Sequence, residues 1–440
     1  MSIEELYQVY KACGCRVTTD SRAITGGELF IALKGENFDG NDYALKALEA
    51  GAARAVVDDG SAAAASGDPR VIAVPDGFDA LRALGRHHRR NCHGDDHLTV
   101  IGLTGTNGKT TTKELIRAVL AAKYRVTATE GNLNNDIGVP LSLLKITPET
   151  ELAVIEMGAN HPDDIKHLVE VCEPDCGLIT NVGKAHLQGF GSFEGVKKAK
   201  GQLYDFIAAQ GGEVFVNVDD PDLSAMARER SGLSIIPYGL DYNGAEVVPS
   251  TPEQPFLRLR LGDREIDTHL VGAYNAMNVL AALCVGLHFE VPFEDAVAAV
   301  EAYEPSNNRS QMQKTERNTL ILDAYNANPS SMGVALDSFA LMEAPRKVAL
   351  LGDMRELGDS SVAEHVKVVE KIAASGFEAF LVGEEFGKAL ASAGTPANVK
   401  GHFATSDDLT AWLTEHPIDG ACLLVKGSRG IRMEKTIPAL

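Results

Sequence analysis

Apolar residues in this chain fall into short continuous runs separated by stretches in which apolar side chains recur every three or four positions. The runs at 29–33, 55–57, 71–74, 98–103, 152–155, 177–179, 319–322, 348–351 and 422–425 have the length of buried strands. Helical spacing follows at 43–51, over 362–374, and from Lys109 onward, where Leu115, Ile116, Val119 and Leu120 share one face. Strands alternating with helices at this interval predict an α/β chain with parallel sheets. With 440 residues the chain has room for about three domains. They are expected at 1–95 (small α/β), 96–306 (a central parallel sheet) and 307–440 (a parallel sheet of Rossmann-like type, without a G-x-G-x-x-G fingerprint).

The chain is organised around Thr104-Gly105-Thr106-Asn107-Gly108-Lys109-Thr110-Thr111, set between a strand and a helix. Gly105 and Gly108 let successive N–H groups converge on an anion. The helix start adds partial positive charge and Lys109 a full one. Thr110 can offer its hydroxyl to the magnesium ion that accompanies a nucleotide. The spacing departs from the strict Walker pattern, since Leu103 stands where a glycine is expected. The stretch still predicts an ATP site in a P-loop-type domain.

Other strands end in chemistry-bearing residues, where ligands of open α/β sheets collect. The run 152–155 ends at Glu156, placed to hold magnesium directly or through water. The run 177–179 leads to Thr180-Asn181-Val182-Gly183 and then His186, a histidine that taken alone reads as structural. The strand at 319–322 ends at Asp323-Ala324-Tyr325-Asn326-Ala327-Asn328, that at 348–351 at Gly352-Asp353-Met354, and that at 422–425 at Lys426-Gly427-Ser428-Arg429. Asn275 and Asn278 lie three apart, so paired amides could read an adenine edge; capping a helix is the competing role. Ser21-Arg22 reads either as a phosphate or uracil contact or as a turn with a solvated arginine. Lys197, Lys198 and Lys200 read as a solvated helix face, and 86–90 as a solvated helix end.

Composition narrows the function class. A formal net charge of −20 argues against nucleic acid as a partner. No apolar run approaches the ~18 residues of a membrane span. The acidic start Met1-Ser2-Ile3-Glu4-Glu5 lacks the pattern of a signal peptide, so a cytoplasmic location is expected. Seven cysteines suit reduced thiols rather than a disulfide framework. Cys13/Cys15 and Cys172/Cys176 lack the second pair that a zinc site needs.

Taken in order, these stretches resemble the Mur ligases, the ATP-dependent amide ligases of peptidoglycan precursor synthesis, over nearly the whole chain. The segments 131–140, 323–332 and 351–358 are most similar to the branch that joins D-alanyl-D-alanine to UDP-N-acetylmuramoyl-tripeptide. The resemblance implies a uridine-nucleotide first domain, a central ATPase domain and a C-terminal ligase domain. It implies that Lys109 binds the β- and γ-phosphates, that Thr110 and Glu156 hold one magnesium, and that His186 is a ligand of a second. Lys200 matches a lysine that is carbamylated in the family. Asn275 and Asn278 match its adenine contacts, and Arg309 and Asp323 the residues that bring the last domain over the nucleotide. Ser21 and Arg22 fall on its uridine-diphosphate motif, and Asn134, Asn135, Asn326 and Asn328 on substrate-binding segments. Tyr274 and Asn41 stand where the family often has histidine. Small-molecule substrates and a monomer are implied. Two other readings share this architecture: a ligase adding a single amino acid or extending a folate polyglutamate tail, and a non-catalytic regulatory nucleotide-binding protein. The absence of an Asp-Asn-Pro-Arg-type motif weighs against the first, and Lys109, Glu156, His186 and Lys200 weigh against the second.

Overall fold

Each of the nine apolar runs is a strand in the computed structural model, which describes residues 1–35, 37–94, 96–251, 254–306 and 308–440. Asp95 and Asn307, where the sequence puts the domain junctions, and Glu36 of the loop 34–41 lie outside the described residues. By packing, the chain forms two units: residues 1–103, 124–159 and 163–177, and residues 104–123, 160–162 and 178–440.

The first unit carries a four-stranded parallel sheet in the order Val17–Thr18, Leu29–Ile31, Arg54–Asp58, Val71–Val74. Its apolar face, with Leu29, Ile31 and Val56, packs with Leu6 and Tyr10 of the helix Ile3–Ala12 and Leu81 and Leu84 of the helix Gly77–Asn91. The strand Leu152–Glu156 runs parallel between Thr99–Thr104 and Val126–Ala128. The polar end of the helix Gly77–Asn91 corrects one expectation, for His88 and Arg89 are buried rather than solvated. Arg89 donates to the Cys172 and Glu173 carbonyls and to Asp175. His88 bonds the Ile146 carbonyl at 2.8 Å and Tyr7 Oη at 3.1 Å. Buried polar groups persist where every one finds a partner, and these fasten the helix to the segments beside it.

In the second unit the helix Lys109–Ala121 packs on Ala276–His288 and Phe293–Glu301. A three-stranded antiparallel sheet, Ala245–Val248, Arg258–Leu261 and Arg264–Asp267, was not anticipated. Its signal is in the sequence as Leu257, Leu259 and Leu261 alternating with Arg258 and Arg260. The last sheet has the order Gln311–Lys314, Thr319–Asp323, Cys422–Lys426, Lys347–Gly352, Glu378–Val382, Val399–Phe403. One core lies on each face, centred on Leu351, Leu424 and Met332 on one side and on Leu350, Leu423 and Leu409 on the other. Its first strand is antiparallel, so the sheet is mixed rather than wholly parallel. Only four residues join Lys314 to Thr319, too few for the crossover that a parallel pair requires.

Candidate active site

The strand Thr99–Thr104 hands the chain to a loop whose conformation only glycine serves at two points. Gly105 has φ +152° and Gly108 φ +77°. A Cβ on Gly105 would overlap Thr180 Oγ1, and one on Gly108 would stand 2.7 Å from Asn278 Oδ1. The loop is held by the strand end that follows Cys176–Ile179. Thr106 N donates to the Asn181 carbonyl at 3.0 Å, and Asn107 N donates to Asn181 Oδ1 at 2.9 Å. Thr180 Oγ1 and Asn181 Nδ2 donate to the Asn107 carbonyl at 2.6 and 2.9 Å, and Gly183 N donates to Thr106 Oγ1 at 3.0 Å. Thr180 and Asn181 were noticed in sequence only as a strand end; their role as the brace of this loop was missed.

Lys109 opens the helix and folds back, its Nζ donating to the carbonyls of Gly105 at 2.8 Å and Thr106 at 3.3 Å. Thr104, Thr110 and Thr111 are buried around it. Asn278 lies beneath the loop, accepting from Thr112 Oγ1 at 3.0 Å and donating to Asn275 Oδ1 at 2.8 Å. Asn275 in turn donates to the Val271 carbonyl and to Ser310 Oγ. Both amides thus form a bonded chain supporting the phosphate loop. Tyr274, one of the two departures from the family pattern, bonds Ser310 Oγ at 3.1 Å, and burial raises its phenol pKa.

His186 meets Glu356, contributed by the segment after the strand Lys347–Gly352, in a hydrogen bond through Nδ1. Burial lowers the His186 pKa; Glu356 opposes that, while Lys109 and Lys200 add to it. Lys200, expected on a solvated face by its spacing, is 2% exposed inside the helix Phe193–Ala209. Asp323 is paired with buried Lys426 at 2.5 Å, a partner the sequence reading did not assign. The Arg309 guanidinium stacks 3.6 Å from the centroid of Tyr325. Asn326 is exposed, and its carbonyl accepts from Lys426 Nζ at 3.4 Å. Asn328 caps the helix Pro329–Leu341 through Ser331 N and donates to Asn107 Oδ1.

The first unit holds the remaining expected residues. Glu156, 1% exposed at its strand end, accepts from Asn134 Nδ2 at 2.7 Å, and its own N donates to Thr129 Oγ1. Asn135 Oδ1 accepts from Gly138 N at 2.9 Å, where the helix Gly138–Leu143 begins. Ser21 and Arg22 sit in a short 3-10 turn, Arg22 bidentate on Asp20. That pair holds the Asp20 carboxyl down at about 2. Asn41, the second departure, is buried and bonds both Asp39 and Asp58. Among the described residues no three His, Cys, Asp or Glu side chains are arranged to hold a metal ion. All seven cysteines are free.

Three family models match the chain in order: the Mur ligase family catalytic domain over 16–88, the Mur ligase middle domain over 103–286, and the Mur ligase glutamate ligase domain over 308–429. The UDP-N-acetylmuramoyl-tripeptide–D-alanyl-D-alanine ligase of Escherichia coli is 36% identical over 96% of this chain and 93% of its own. A crystal structure of MurF from Acinetobacter baumannii superposes with a TM-score of 0.84 at 30% identity, covering 98% of this chain and 97% of that one. MurF ligase from Thermotoga maritima in complex with ADP gives 0.81 at 25% identity, covering 96% of each chain.

Proposed function

The chain belongs to the Mur ligase family, and from that membership and the geometry of its phosphate loop we propose that it joins D-alanyl-D-alanine to UDP-N-acetylmuramoyl-tripeptide at the expense of ATP. The observation that carries this reading is the loop 104–109, braced by Asn181, with Lys109 at the helix start. Such a loop binds phosphate, and the family couples it to amide formation.

The terminal carboxylate of the tripeptide attacks the γ-phosphate, giving an acyl phosphate and ADP. Lys109 exchanges its loop carbonyls for phosphate oxygens, and the loop N–H groups hold the transferring group in line. The dipeptide amine then attacks the acyl carbonyl, loses a proton, and inorganic phosphate leaves. Water must be kept from the acyl phosphate meanwhile. The contacts that Asn328 and Glu356 of the last domain make with Asn107 and His186 support a closed arrangement that does so.

The donor chemistry suits magnesium: the Thr110 hydroxyl and the buried Glu156 carboxylate are hard oxygen donors. We assign these two to one ion, and His186 with Lys200 to a second. Bound magnesium supplies charge neutralisation at the phosphates. Lys200 joins that set as a carbamate, formed when its neutral amine adds CO2 and loses a proton. Asn275, Asn278, Arg309 and Asp323 are assigned to ATP, and Ser21, Arg22, Asn134, Asn135, Asn326 and Asn328 to the peptidyl nucleotide and dipeptide. The three domains are those of the sequence reading, and the enzyme acts as a cytoplasmic monomer.

The experiment is phosphate release from ATP with magnesium, UDP-N-acetylmuramoyl-tripeptide and D-alanyl-D-alanine, each omitted in turn. Release that needs all of them, with a product heavier by the dipeptide, is expected. Release driven by a single amino acid instead would overturn the choice of acceptor, and ATP binding without turnover would support a regulatory protein.

A further inference from the structure

Two guanidinium groups flank Tyr325, and a third lies at the backbone beside one of them. Arg309 lies on its ring face at 3.6 Å, and Arg429 approaches to 5.1 Å from the same centroid, its Nη1 donating to Tyr325 Oη at 2.8 Å. Arg355 arrives from the next strand end, its backbone N donating to Ser428 Oγ at 2.9 Å. Its Nη1 stands 2.7 Å from where a Cβ on Gly430 would be, so the guanidinium crosses the backbone beside Arg429.

The topology explains the gathering. Tyr325, Arg429 and Arg355 follow the strands Thr319–Asp323, Cys422–Lys426 and Lys347–Gly352, which are adjacent and parallel, so all three loops leave the sheet at one end. Arg309 precedes the antiparallel strand Gln311–Lys314, whose Gln311 pairs with Leu322, which brings it to that same end. Ligands of such sheets collect there.

What marks the cluster is its lack of counter-charge. The chain has 61 acidic and 41 basic residues, and two other arginines of this domain find carboxylates: Arg346 with Glu378, Arg317 with Asp419. Arg309, Arg355 and Arg429 have no ion-pair partner among the described residues, and Arg309 Nε is buried without a hydrogen bond. Like charges collected without carboxylates in an acidic protein raise the local potential for an anion. Guanidinium is the group that grips a carboxylate at two points.

Resting on the reaction proposed above, we propose that Arg355 and Arg429 bind the terminal carboxylate of the incoming dipeptide, with Tyr325, stacked on Arg309, holding the Arg429 guanidinium in place through its hydroxyl. The acceptor must present its amine to the acyl carbonyl, and its carboxylate is its one anionic group, at the far end. An extended dipeptide spans about 7 Å, so a carboxylate held in the outer loops leaves the amine that distance further in. The pair reads the carboxylate and not the linkage before it.

The test compares D-alanyl-D-alanine with D-alanyl-D-alaninamide, which keeps the amine and lacks the anion. The wild type is expected to lose about 10- to 100-fold in kcat/KM on the amide, the scale of charged hydrogen bonds. Arg429→Ala and Arg355→Ala should each raise KM for the dipeptide about tenfold and shrink the acid-to-amide ratio toward one. KM for ATP and for the peptidyl nucleotide should stay within about twofold, and Arg429→Lys should recover part of the ratio. Equal use of acid and amide by the wild type overturns the assignment without any variant having to fold. A rise in KM for ATP with the dipeptide KM unchanged overturns it in favour of a phosphate contact. A wild type inert toward the dipeptide but active with another acceptor overturns the reaction and this assignment together.

Discussion

Asn328 and Asn107, 221 residues apart in the chain, meet amide to amide, Asn328 Nδ2 donating to Asn107 Oδ1 at 2.8 Å. One residue caps a helix of the last domain, and the other sits in the phosphate loop. Beside them Lys184 N donates to Ser330 Oγ at 3.2 Å, and His186 pairs with Glu356. The last domain therefore touches the phosphate loop, and the loops after it, through polar side chains that can part and re-form, the kind of contact a closing domain needs.

The two asparagines can be separated by substitution. Asn107→Ala removes the bridge alone, whereas Asn328→Ala removes the bridge and the cap. Both should lower kcat several-fold with the fold intact. Only Asn328→Ala should also cost stability, about 1 kcal/mol for a lost N-cap. Steady-state rates beside urea denaturation of each variant check this, and equal stability losses would mean that Asn328 does no capping.

Lys109→Ala should abolish phosphate release, by about 10²-fold or more, as expected when a charge aimed at the transferring phosphate is removed. The fold should persist, because the helix that Lys109 opens is held by its buried apolar face, Leu115, Ile116, Val119 and Leu120. Circular dichroism melts and release assays on the same preparation measure both. A variant that kept full activity would remove the loop from the reaction.

His88 sets a pH dependence of stability. Its Nε2 must donate to the Ile146 carbonyl, which leaves Nδ1 of the neutral ring to accept from Tyr7 Oη. Burial lowers its pKa below the ordinary 6.5. The unfolded chain therefore takes up a proton at a pH where the folded chain does not. Stability is full above about pH 6.5 and declines as pH falls from there toward the depressed folded value, at up to about 1.4 kcal/mol per pH unit. Urea midpoints at pH 7.5 and 5.5 should differ less in His88→Gln than in the wild type.

Much of this was legible in the sequence because it is local. The phosphate loop announces itself through Gly105, Gly108 and Lys109 between a strand and a helix, and the strand ends at Glu156, Asp323 and Lys426 mark one edge of each sheet. Partners were not legible, because they come from distant segments. Nothing near Lys426 in the sequence says that its ammonium meets Asp323, 103 residues away. Lys200 sits in a run of lysines whose spacing suits a solvated face, and only packing shows that it is buried. His88 and Arg89 misled for the same reason: a polar helix end reads as solvated until the carbonyls of Ile146 and Cys172 are found against it.

Gly105 gives the sharpest test of the loop, because two independent effects act at one atom. Its φ of +152° disfavours any side chain, and a Cβ would overlap Thr180 Oγ1, the hydroxyl that donates to the Asn107 carbonyl. Alanine there must push Thr180 aside and so loosen the brace on Asn107. The strain and overlap together should cost about 1–3 kcal/mol. The larger effect should be on nucleotide binding. Wild-type protein gains stability from bound ATP as RT ln(1 + [ATP]/Kd), about 2.7 kcal/mol at a hundred times Kd. Gly105→Ala should lose most of that gain while still melting in one cooperative step. Thr180→Ala on the same background removes the overlap but leaves the strain at φ +152° and loses the bond to Asn107, so it should recover only part of the stability and none of the response to ATP. If the double variant recovers the response to ATP, the hydroxyl of Thr180 is not needed in the brace, and the contacts of Asn181 hold the loop without it.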